Sequence, residues 1–344
     1  MFLTIVVVAW NNEGYVEEAL KSCVDGQCND YEVIVVHNAS DDMTGKVIGR
    51  MASERPDIFR VIENGKNEGV GEGRNIGLRQ ARGRYVAFLD GDDFFLPGSL
   101  PYLQHKLRET GYPDILLFDF QRFWPEGTLT PNFNATLLTN SDLSLPSKRV
   151  EIVPNINVAW NKVYRRGFLE ENALAFSRGV YEDLAWNFAC ILKATTFQSV
   201  DRSCVGYRMR EGSITRSTSV GHLDVLLQYR AVMQLLDSDP AAAQVYGTAI
   251  YEYARDHMRY IFFVGYRLPR AQEGRYLRDM SALLKAWRQT LPPLGPDLGL
   301  YLAALGSPRL MRLARNIMRA LRRARAPIDS SDTSRRRGRA SIAS

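Results

Sequence analysis

The sequence contains little that would place it in several common classes of protein. It has four cysteines in 344 residues, none in a C-x-x-C pair or at metal-ligand spacing with a histidine, which excludes a disulfide scaffold and a zinc finger. No stretch approaches the ~20 apolar residues of a membrane span. Met1 leads directly into a strand, without the charged start and apolar core of a signal peptide. We therefore expect a protein of the reducing cytoplasm.

Basic residues are scarce outside the C-terminal tail. From Arg309 to the end the sequence carries eleven Arg and two Asp, whereas the preceding residues carry 33 Lys and Arg against 36 Asp and Glu. A nucleic-acid-binding domain should carry basic side chains across one face. The slightly acidic body therefore argues against a nucleic-acid partner.

The first 120 residues alternate between short β-branched runs and helical patterns. Strands are predicted at Phe2–Ala9, Glu32–Val36, Phe59–Glu63, Tyr85–Leu89 and Ile115–Phe120. Helices are predicted at Tyr15–Val24, Met43–Ser53, Gly73–Ala81 and Gly98–Thr110. This alternation predicts right-handed βαβ units, and hence an α/β fold with a Rossmann-like, mostly parallel sheet flanked by helices.

The rest of the chain has a different organisation. Residues 124–150 are rich in Pro, Asn, Thr and Ser, which predicts a long loop. A helix at Glu182–Lys193 and a strand near Gln198–Arg208 follow, and then a helical C-terminal region with helices at Leu223–Leu236, Ala241–Phe263 and Tyr276–Gln289. We predict four parts: an α/β domain at 1–220, a helical region at 221–306, a basic amphipathic helix at 307–325 and a disordered tail at 326–344.

The most informative segment is an apolar run that ends in three acids. Residues 85–89 resemble a buried strand, and Asp90, Asp92 and Asp93 follow it. Burying such like charges without a cation costs on the order of several kcal/mol, whereas a hard divalent cation bound by oxygens stabilises them. Open α/β sheets bind ligands at the carboxyl ends of their strands, which predicts a metal-bridged diphosphate here. The alternative is a helix N-cap, which accounts for one acid but not for three.

Candidate nucleoside contacts follow the first two strands. Ala9 and Trp10 lie at the end of the first strand, and the indole of Trp10 is suited to face a nucleoside. The alternative is that Trp10 is a core aromatic and that the Asn after it caps a helix. Asn38, Asp41 and Asp42 follow the second strand and are suited to hydrogen-bond a base and a ribose. The alternative is an Asx turn that caps the next helix.

A glycine-rich segment at residues 67–77 is not a dinucleotide fingerprint. After Gly69 and Gly71 a third glycine would be needed at the position of Arg74, which argues against a nicotinamide-dependent oxidoreductase. The glycines instead favour close approach of the backbone to a ligand. Arg74 then begins a helix with its guanidinium free to meet a base or a phosphate, the alternative being a solvated helix arginine.

Two further pairs of charged residues are candidates for the site. Glu182 and Asp183 open an amphipathic helix; the helix dipole accounts for acids there, and the functional alternative makes one of them a general base. Arg208 and Arg210 alternate on a strand and therefore point the same way. They suit a diphosphate, although a solvated strand face is the alternative.

Together and in this order, these motifs resemble the family 2 glycosyltransferases, which have the GT-A fold. The resemblance runs from about Leu3 to Thr215 and is strongest at 67–93, Trp160-Asn-Lys162, Glu182-Asp183 and Glu211-Gly-Ser-Ile-Thr215. It implies that the Asp-X-Asp element, Asp90 and Asp92, holds Mn²⁺ or Mg²⁺ and that Asp183 is the catalytic base. The expected nucleotide-sugar-binding residues are Ala9, Trp10, Asn38, Asp41, Arg74, Asp90, Gly91, Glu182, Arg208 and Arg210.

The resemblance implies an inverting transfer from a nucleotide-sugar donor. The acceptor is expected to be a hydroxyl of a bacterial wall polymer of the teichoic-acid type, a surface polysaccharide or a lipid-linked precursor. His37 stands where the family usually has Asp, which removes an acidic contact to the nucleoside; we still expect a UDP-sugar. Two alternatives remain: a nucleotidyl- or phosphotransferase, which would not need Glu182-Asp183, and an inactive nucleotide-sugar-binding module.

The C-terminal helix is basic and amphipathic. Its apolar residues form one stripe: Leu310, Leu313, Ala314, Ile317, Met318 and Leu321. Its arginines lie on the other side: Arg312, Arg315, Arg319, Arg322 and Arg323. This pattern predicts peripheral contact of 307–325 with the inner face of an anionic membrane. The alternative is a terminal helix that packs on the body through its apolar stripe.

Overall fold

A computed structural model describes residues 1–24, 26–131, 143–153, 158–210, 217–291, 297 and 303–325. Its nine strands are β1 (Leu3–Ala9), β2 (Tyr31–His37), β3 (Phe59–Glu63), β4 (Tyr85–Asp90), β5 (Phe94–Phe95), β6 (Ile115–Phe123), β7 (Leu129–Pro131), β8 (Lys162–Arg165) and β9 (Phe197–Arg208). They form one sheet in the order β3-β2-β1-β4-β8-β6-β9-β5, and β7 pairs with β6.

The sheet is mostly parallel, and its register brings the polar strand ends together. Strands β3, β2, β1 and β4 are parallel neighbours, as are β6 and β9, whereas β8 runs antiparallel to both β4 and β6. Ala9 pairs with His37, and Val8 pairs with Asp90. The buried apolar strands of this sheet are typical of one covered on both faces.

Eleven α-helices accompany the sheet in the described residues. They are α1 (Val16–Ser22), α2 (Thr44–Glu54), α3 (Val70–Gln80), α4 (Ser99–Glu109), α5 (Pro146–Ile152), α6 (Arg166–Glu171), α7 (Glu182–Lys193), α8 (Asp224–Asp237), α9 (Pro240–Val264), α10 (Glu273–Arg288) and α11 (Pro308–Arg325). Local signals set their ends. For α9, Asp239 caps the amide of Ala242 at 3.0 Å, Pro240 opens the first turn, and Gly265 ends the helix with φ of 83°.

The predicted α/β fold with a helical C-terminal region is confirmed. The predicted loop at 124–150 is wrong in two places: β7 pairs with β6, and α5 begins at Pro146. Proline suits the first turn of a helix, where its missing N–H leaves no bond unmade. The two-residue strand β5 was not predicted, because two residues are too few to show a period. The tail at 326–344 lies outside the described residues.

The sheet and the C-terminal helices share one hydrophobic core. It extends from Phe88 in β4 through Trp186 in α7 to Tyr229 in α8 and Trp287 in α10, all of them buried. Of the helices after residue 220, α8 packs directly on α7, and α9 and α10 pack on α8. Of the helices that the structure describes, none combines the length and apolar character needed to cross a membrane.

Candidate active site

The three acids after β4 lie together in one turn. Oxygens of Asp90, Asp92 and Asp93 are all within 4.8 Å of one another, and the amide of Asp93 donates to the carbonyl of Asp90 at 3.0 Å. Gly91 lets this turn approach the end of β1, since a Cβ there would lie 3.0 Å from Cβ of Ala9 and 2.9 Å from Oδ1 of Asn12, which follows the strand. The turn therefore gathers carboxylates at the carboxyl end of the parallel strands.

These acids are incompletely neutralised by the protein. Asp93 is buried; its Oδ1 accepts the amide of Arg208 at 2.8 Å, and its Oδ2 has no hydrogen-bond partner. Burial and the charges of Asp92 and Asp90 raise the pKa of Asp93 well above its usual range. Burial and Asp90 likewise raise the pKa of Asp92. Three clustered carboxylates, one with an unpartnered buried oxygen, fit a hard divalent cation such as Mn²⁺ or Mg²⁺.

Arg74 joins this acid turn to the start of α7. Its Nη2 donates to Asp90 Oδ1 at 2.7 Å, while Nη1 donates to Glu182 Oε1 at 2.9 Å and to Asp183 Oδ1 at 2.5 Å. Burial alone would lower the pKa of Arg74. The negative charges of Asp183, Asp90 and Glu182 have the larger effect and raise the pKa of Arg74 above its usual value. The expectation of a free guanidinium is thus wrong, because three carboxylates occupy it. Contact of Arg74 with a nucleotide sugar stays a prediction.

The start of α7 holds its two acids in a buried setting. Tyr181, which precedes the helix, has a left-handed backbone with φ of 64°, an uncommon state for a non-glycine residue. Burial and the neighbouring Asp183 raise the pKa of Glu182 to about 8. Burial, opposed by Arg74 and reinforced by Asp90, raises the pKa of Asp183. A carboxylate with raised basicity is suited to accept a proton.

Asp183 is also held by the turn that precedes β8. Its Oδ2 accepts the amide of Ala159 at 3.2 Å. Lys162 is fully buried, and its Nζ donates to the carbonyl of Val158 and to Oδ1 of Asn161, each at 2.7 Å. Burial lowers the pKa of Lys162 to about 7. The Trp-Asn-Lys motif was visible in the sequence, but its role in supporting the turn behind Asp183 was not.

The loop at residues 176–181, which leads into α7, is fixed on one side by α3. The side-chain oxygen of Asn75 accepts the backbone amide of Phe176 at 2.8 Å, and its side-chain nitrogen donates to the carbonyl of Phe176 at 2.9 Å. Gly71 packs so closely that a Cβ there would lie 2.7 Å from the carbonyl oxygen of Ser177 and 3.0 Å from Cγ of Glu182. The glycine-rich segment therefore serves close packing against this loop.

The other side of the same loop is fixed by α8. Oδ2 of Asp224 accepts the amide of Val180 at 3.0 Å, and the amide of Gln228 donates to the carbonyl of Arg178 at 3.1 Å. No sequence pattern pointed to these two residues, since each is an ordinary polar position on a helix. The C-terminal helices thus contribute directly to the position of Glu182 and Asp183.

Arg208 and Arg210 both reach the acid turn from the end of β9. Nε of Arg208 donates to the carbonyl of Asp92 at 2.8 Å, and its Nη2 pairs with Glu18 at 2.5 Å. Nε of Arg210 donates to Oδ2 of Asp92 at 2.5 Å. The arrangement brings two cations beside the carboxylates. Glu211–Thr215, which the sequence singled out, lies outside the described residues.

Of the residues predicted to face a nucleoside, two are buried and two are exposed. Ala9 is buried at the end of β1, and Trp10 beyond it is 46% exposed. Asn38 is buried, and its amide bonds to Asn67, Gly69, Asn64 and the backbone of Glu68, so that it holds the loop 64–69. Asp41 is exposed. Contact of these side chains with a donor stays a prediction.

His37 and Asp42 have structural partners. Nδ1 of His37 lies 2.5 Å from Oε2 of Glu63, and Nε2 accepts a hydrogen bond from the backbone amide of Ser40 at 3.2 Å. Asp42 accepts the amides of Thr44 and Glu13, which agrees with the Asx-turn alternative. The histidine in place of the family's aspartate thus supports the turn after β2.

Comparisons with known proteins identify relatives among the glycosyltransferases. Residues 4–172 match the sequence model of Glycosyl transferase family 2, a range that ends before Glu182 and Asp183. The chain is similar to the uncharacterized glycosyltransferase EpsJ of Bacillus subtilis, at 27% identity over 231 residues, covering 66% of each protein. It is also similar to the GalNAc(5)-diNAcBac-PP-undecaprenol beta-1,3-glucosyltransferase of Campylobacter jejuni, at 27% identity over 238 residues, 69% of this chain and 74% of that protein.

The first of these relatives is thus matched over just under two thirds of its length. Among solved structures, that of Staphylococcus aureus TarS residues 1–349 in complex with UDP-GlcNAc has a TM-score of 0.73 at 20% identity, covering 93% of this chain and 92% of that one. At this identity the likeness shows the shared fold. Residues 4–172, just under half of the chain, therefore belong to glycosyltransferase family 2, and the chain has the GT-A fold.

Proposed function

We propose that this chain is a metal-dependent, inverting glycosyltransferase that moves a sugar from a UDP-sugar to an acceptor hydroxyl. The observation that carries the proposal is the placement of Arg74. Its guanidinium contacts Asp90 at the acid turn and Asp183 at the start of α7. The planar guanidinium therefore fixes the acid turn, where a diphosphate would bind, relative to the candidate base. Attack of an acceptor hydroxyl on the donor sugar requires such fixed relative positions.

The donor and the acceptor are inferred from the relatives. TarS has been crystallised with UDP-GlcNAc and with UDP, which supports a uridine donor. The names of relatives include an undecaprenol-linked glucosyltransferase and a poly(ribitol-phosphate) beta-N-acetylglucosaminyltransferase. We infer an acceptor that is a wall polymer, a surface polysaccharide or a lipid-linked precursor. The four cysteines are free and buried, which supports a cytoplasmic location.

Each step is assigned to residues of this chain. Asp90, Asp92 and Asp93 would hold Mn²⁺ or Mg²⁺, which when bound neutralises charge on the donor diphosphate. Arg208 and Arg210 add positive charge beside Asp92, where the leaving UDP gains charge.

Asp183 accepts the proton of the acceptor hydroxyl as that oxygen bonds to the anomeric carbon and the bond to UDP breaks. A single displacement from the opposite face inverts the anomeric centre.

The test is to follow UDP release and the glycosylated product from a panel of UDP-sugars with wall-polymer and lipid-linked acceptors. We expect UDP in equal amount to product, inverted anomeric configuration by NMR, loss of activity in EDTA and recovery with Mn²⁺ or Mg²⁺. Release of sugar 1-phosphate would indicate nucleotidyl transfer, and release of UMP would indicate transfer of a sugar phosphate. Donor binding without release of any of these products would indicate an inactive binding module. Full activity in EDTA would remove the metal from the proposal.

A further inference from the structure

Helix α11 is attached to the body through Arg312 and Arg315 rather than through Leu310 or Leu313. Arg312 pairs with Glu273 at the start of α10, and Arg315 donates to the carbonyl of Phe263 at 3.0 Å near the end of α9. Met311, on the same side, is buried. This face of the helix is therefore its attachment to the protein.

Three residues of the apolar stripe of α11, Leu310, Leu313 and Ile317, face away from the body. Leu310 is 42% exposed, Leu313 is 56% exposed and Ile317 is 50% exposed. Their spacing of three and four residues places them on one side of the helix. The alternative raised by the sequence, in which the apolar stripe packs on the body, is therefore wrong for these residues. Such a stripe on an attached helix is unusual for a surface in contact with water alone.

The net positive charge of the C-terminal segment that carries the stripe favours an anionic partner. From Arg309 to the end the sequence holds eleven Arg and two Asp. A second copy of the chain would bring a like-charged segment against this one, which electrostatic repulsion opposes. A dissolved polyanion would bind the arginines but would leave the apolar stripe in water. An anionic bilayer surface satisfies both, since it offers negative headgroups above an apolar interior.

We propose that α11 docks the enzyme on an anionic lipid bilayer, with Leu310, Leu313 and Ile317 entering the interface. Contact is peripheral, because no helix in the described part of the chain is suited to span the membrane. The docking is independent of the proposed transfer reaction, since none of these residues belongs to the active site.

The experiment is co-sedimentation of the full chain with vesicles of phosphatidylcholine alone or mixed with phosphatidylglycerol, at low and high salt. The test variant is L310S/L313S/I317S, which changes exposed residues and leaves Arg312 and Arg315 in place. The control is L129S/L227S/V245S, which removes three comparably exposed apolar side chains from β7, α8 and α9. UDP release with a water-soluble acceptor is measured in parallel for all proteins.

We expect the wild type and the control to bind the anionic vesicles and not the neutral ones. The stripe variant should bind more weakly by about tenfold or more, with unchanged UDP release. Equal binding of the stripe variant and the wild type would overturn the proposal and indicate attraction by the arginines alone, as for a polyanion. Absence of wild-type binding, or a wild-type dimer that the stripe variant abolishes, would overturn it as well.

Discussion

Arg74 and Asp183 are 109 positions apart in the sequence, and a guanidinium nitrogen of the first lies 2.5 Å from a carboxylate oxygen of the second. The contact orients Asp183 and keeps part of its charge neutralised in a buried place. Because Arg74 also contacts Asp90, a displacement of either acid is transmitted to the other through one side chain. The candidate base is thus aligned with the acid turn before any substrate binds.

Replacement of Asp183 by Asn should remove turnover while leaving donor binding nearly intact. The amide keeps the shape of the side chain, and its one oxygen can accept from either Ala159 or Arg74, but it cannot take a proton. We expect kcat to fall by about 10²–10⁴-fold, the contribution of a general base, with the Kd of UDP measured by calorimetry changing little. Asp57→Asn, which removes an exposed pair with Arg55, is the control. An unchanged kcat would exclude Asp183 as the base.

Replacement of Asp93 by Asn should separate two effects on stability: destabilisation by the clustered negative charge and stabilisation by a bound metal ion. In metal-free protein the change removes the one buried acid of the three clustered carboxylates, so we expect the free energy of unfolding to rise by about 1–2 kcal/mol. The increase in Tm that Mn²⁺ gives the wild type should be lost, since a ligand that binds the native state stabilises it. Thermal unfolding with EDTA and with Mn²⁺ measures both. A variant that keeps the full Mn²⁺ response would show that Asp93 does not contribute to the site.

Replacement of Gly71 by Ala should lower activity through the loop 176–181. The new Cβ would lie 2.7 Å from the carbonyl oxygen of Ser177, which overpacks a tight contact and destabilises the fold by about 1–3 kcal/mol. Displacement of the acids that follow should lower kcat by about tenfold or more. Gly49→Ala in α2 is the matched control, because nothing lies within 4 Å of its Cβ. Equal kcat values for the two variants would argue against coupling between this contact and catalysis.

Replacement of Lys162 by Met should change the dependence of stability on pH. Burial lowers the pKa of Lys162 from 10.5 to about 7. Between these values the unfolded chain binds more protons than the folded one, so the free energy of unfolding rises with pH. Relative to K162M, the wild type should gain stability as pH increases from 7, by up to ~1.4 kcal/mol per pH unit.

Urea unfolding at several pH values measures this difference. Exposed Lys193 on α7, replaced by Met, should show no such slope. Parallel pH curves for the wild type and K162M would show that Lys162 titrates normally.

The sequence predicted those parts of the molecule whose signals are local. The strands β1 to β4 were found because apolar runs end abruptly in polar turns, and the acid turn was found because three carboxylates follow one such run. The helix α5 was missed because a segment rich in Ser and Pro obscured the helix-opening Pro146.

The contacts of Arg74 could not be predicted in this way. Its partners lie 16, 108 and 109 positions along the chain, so their meeting depends on the folded sheet and on α7. The roles of Asp224 and Gln228 were hidden for the same reason, since their partners belong to a different part of the sequence.

The attachment of the 176–181 loop to α8 limits how this enzyme can be rebuilt. A fragment cut at residue 220 would retain the acid turn, Arg74 and Asp183 but would leave the amide of Val180 without its acceptor Asp224. A chimera that exchanges the helices after residue 220 would therefore also disturb the candidate base. Successful grafts should keep Asp224 and Gln228 with the α/β part of the chain and place the junction after α8.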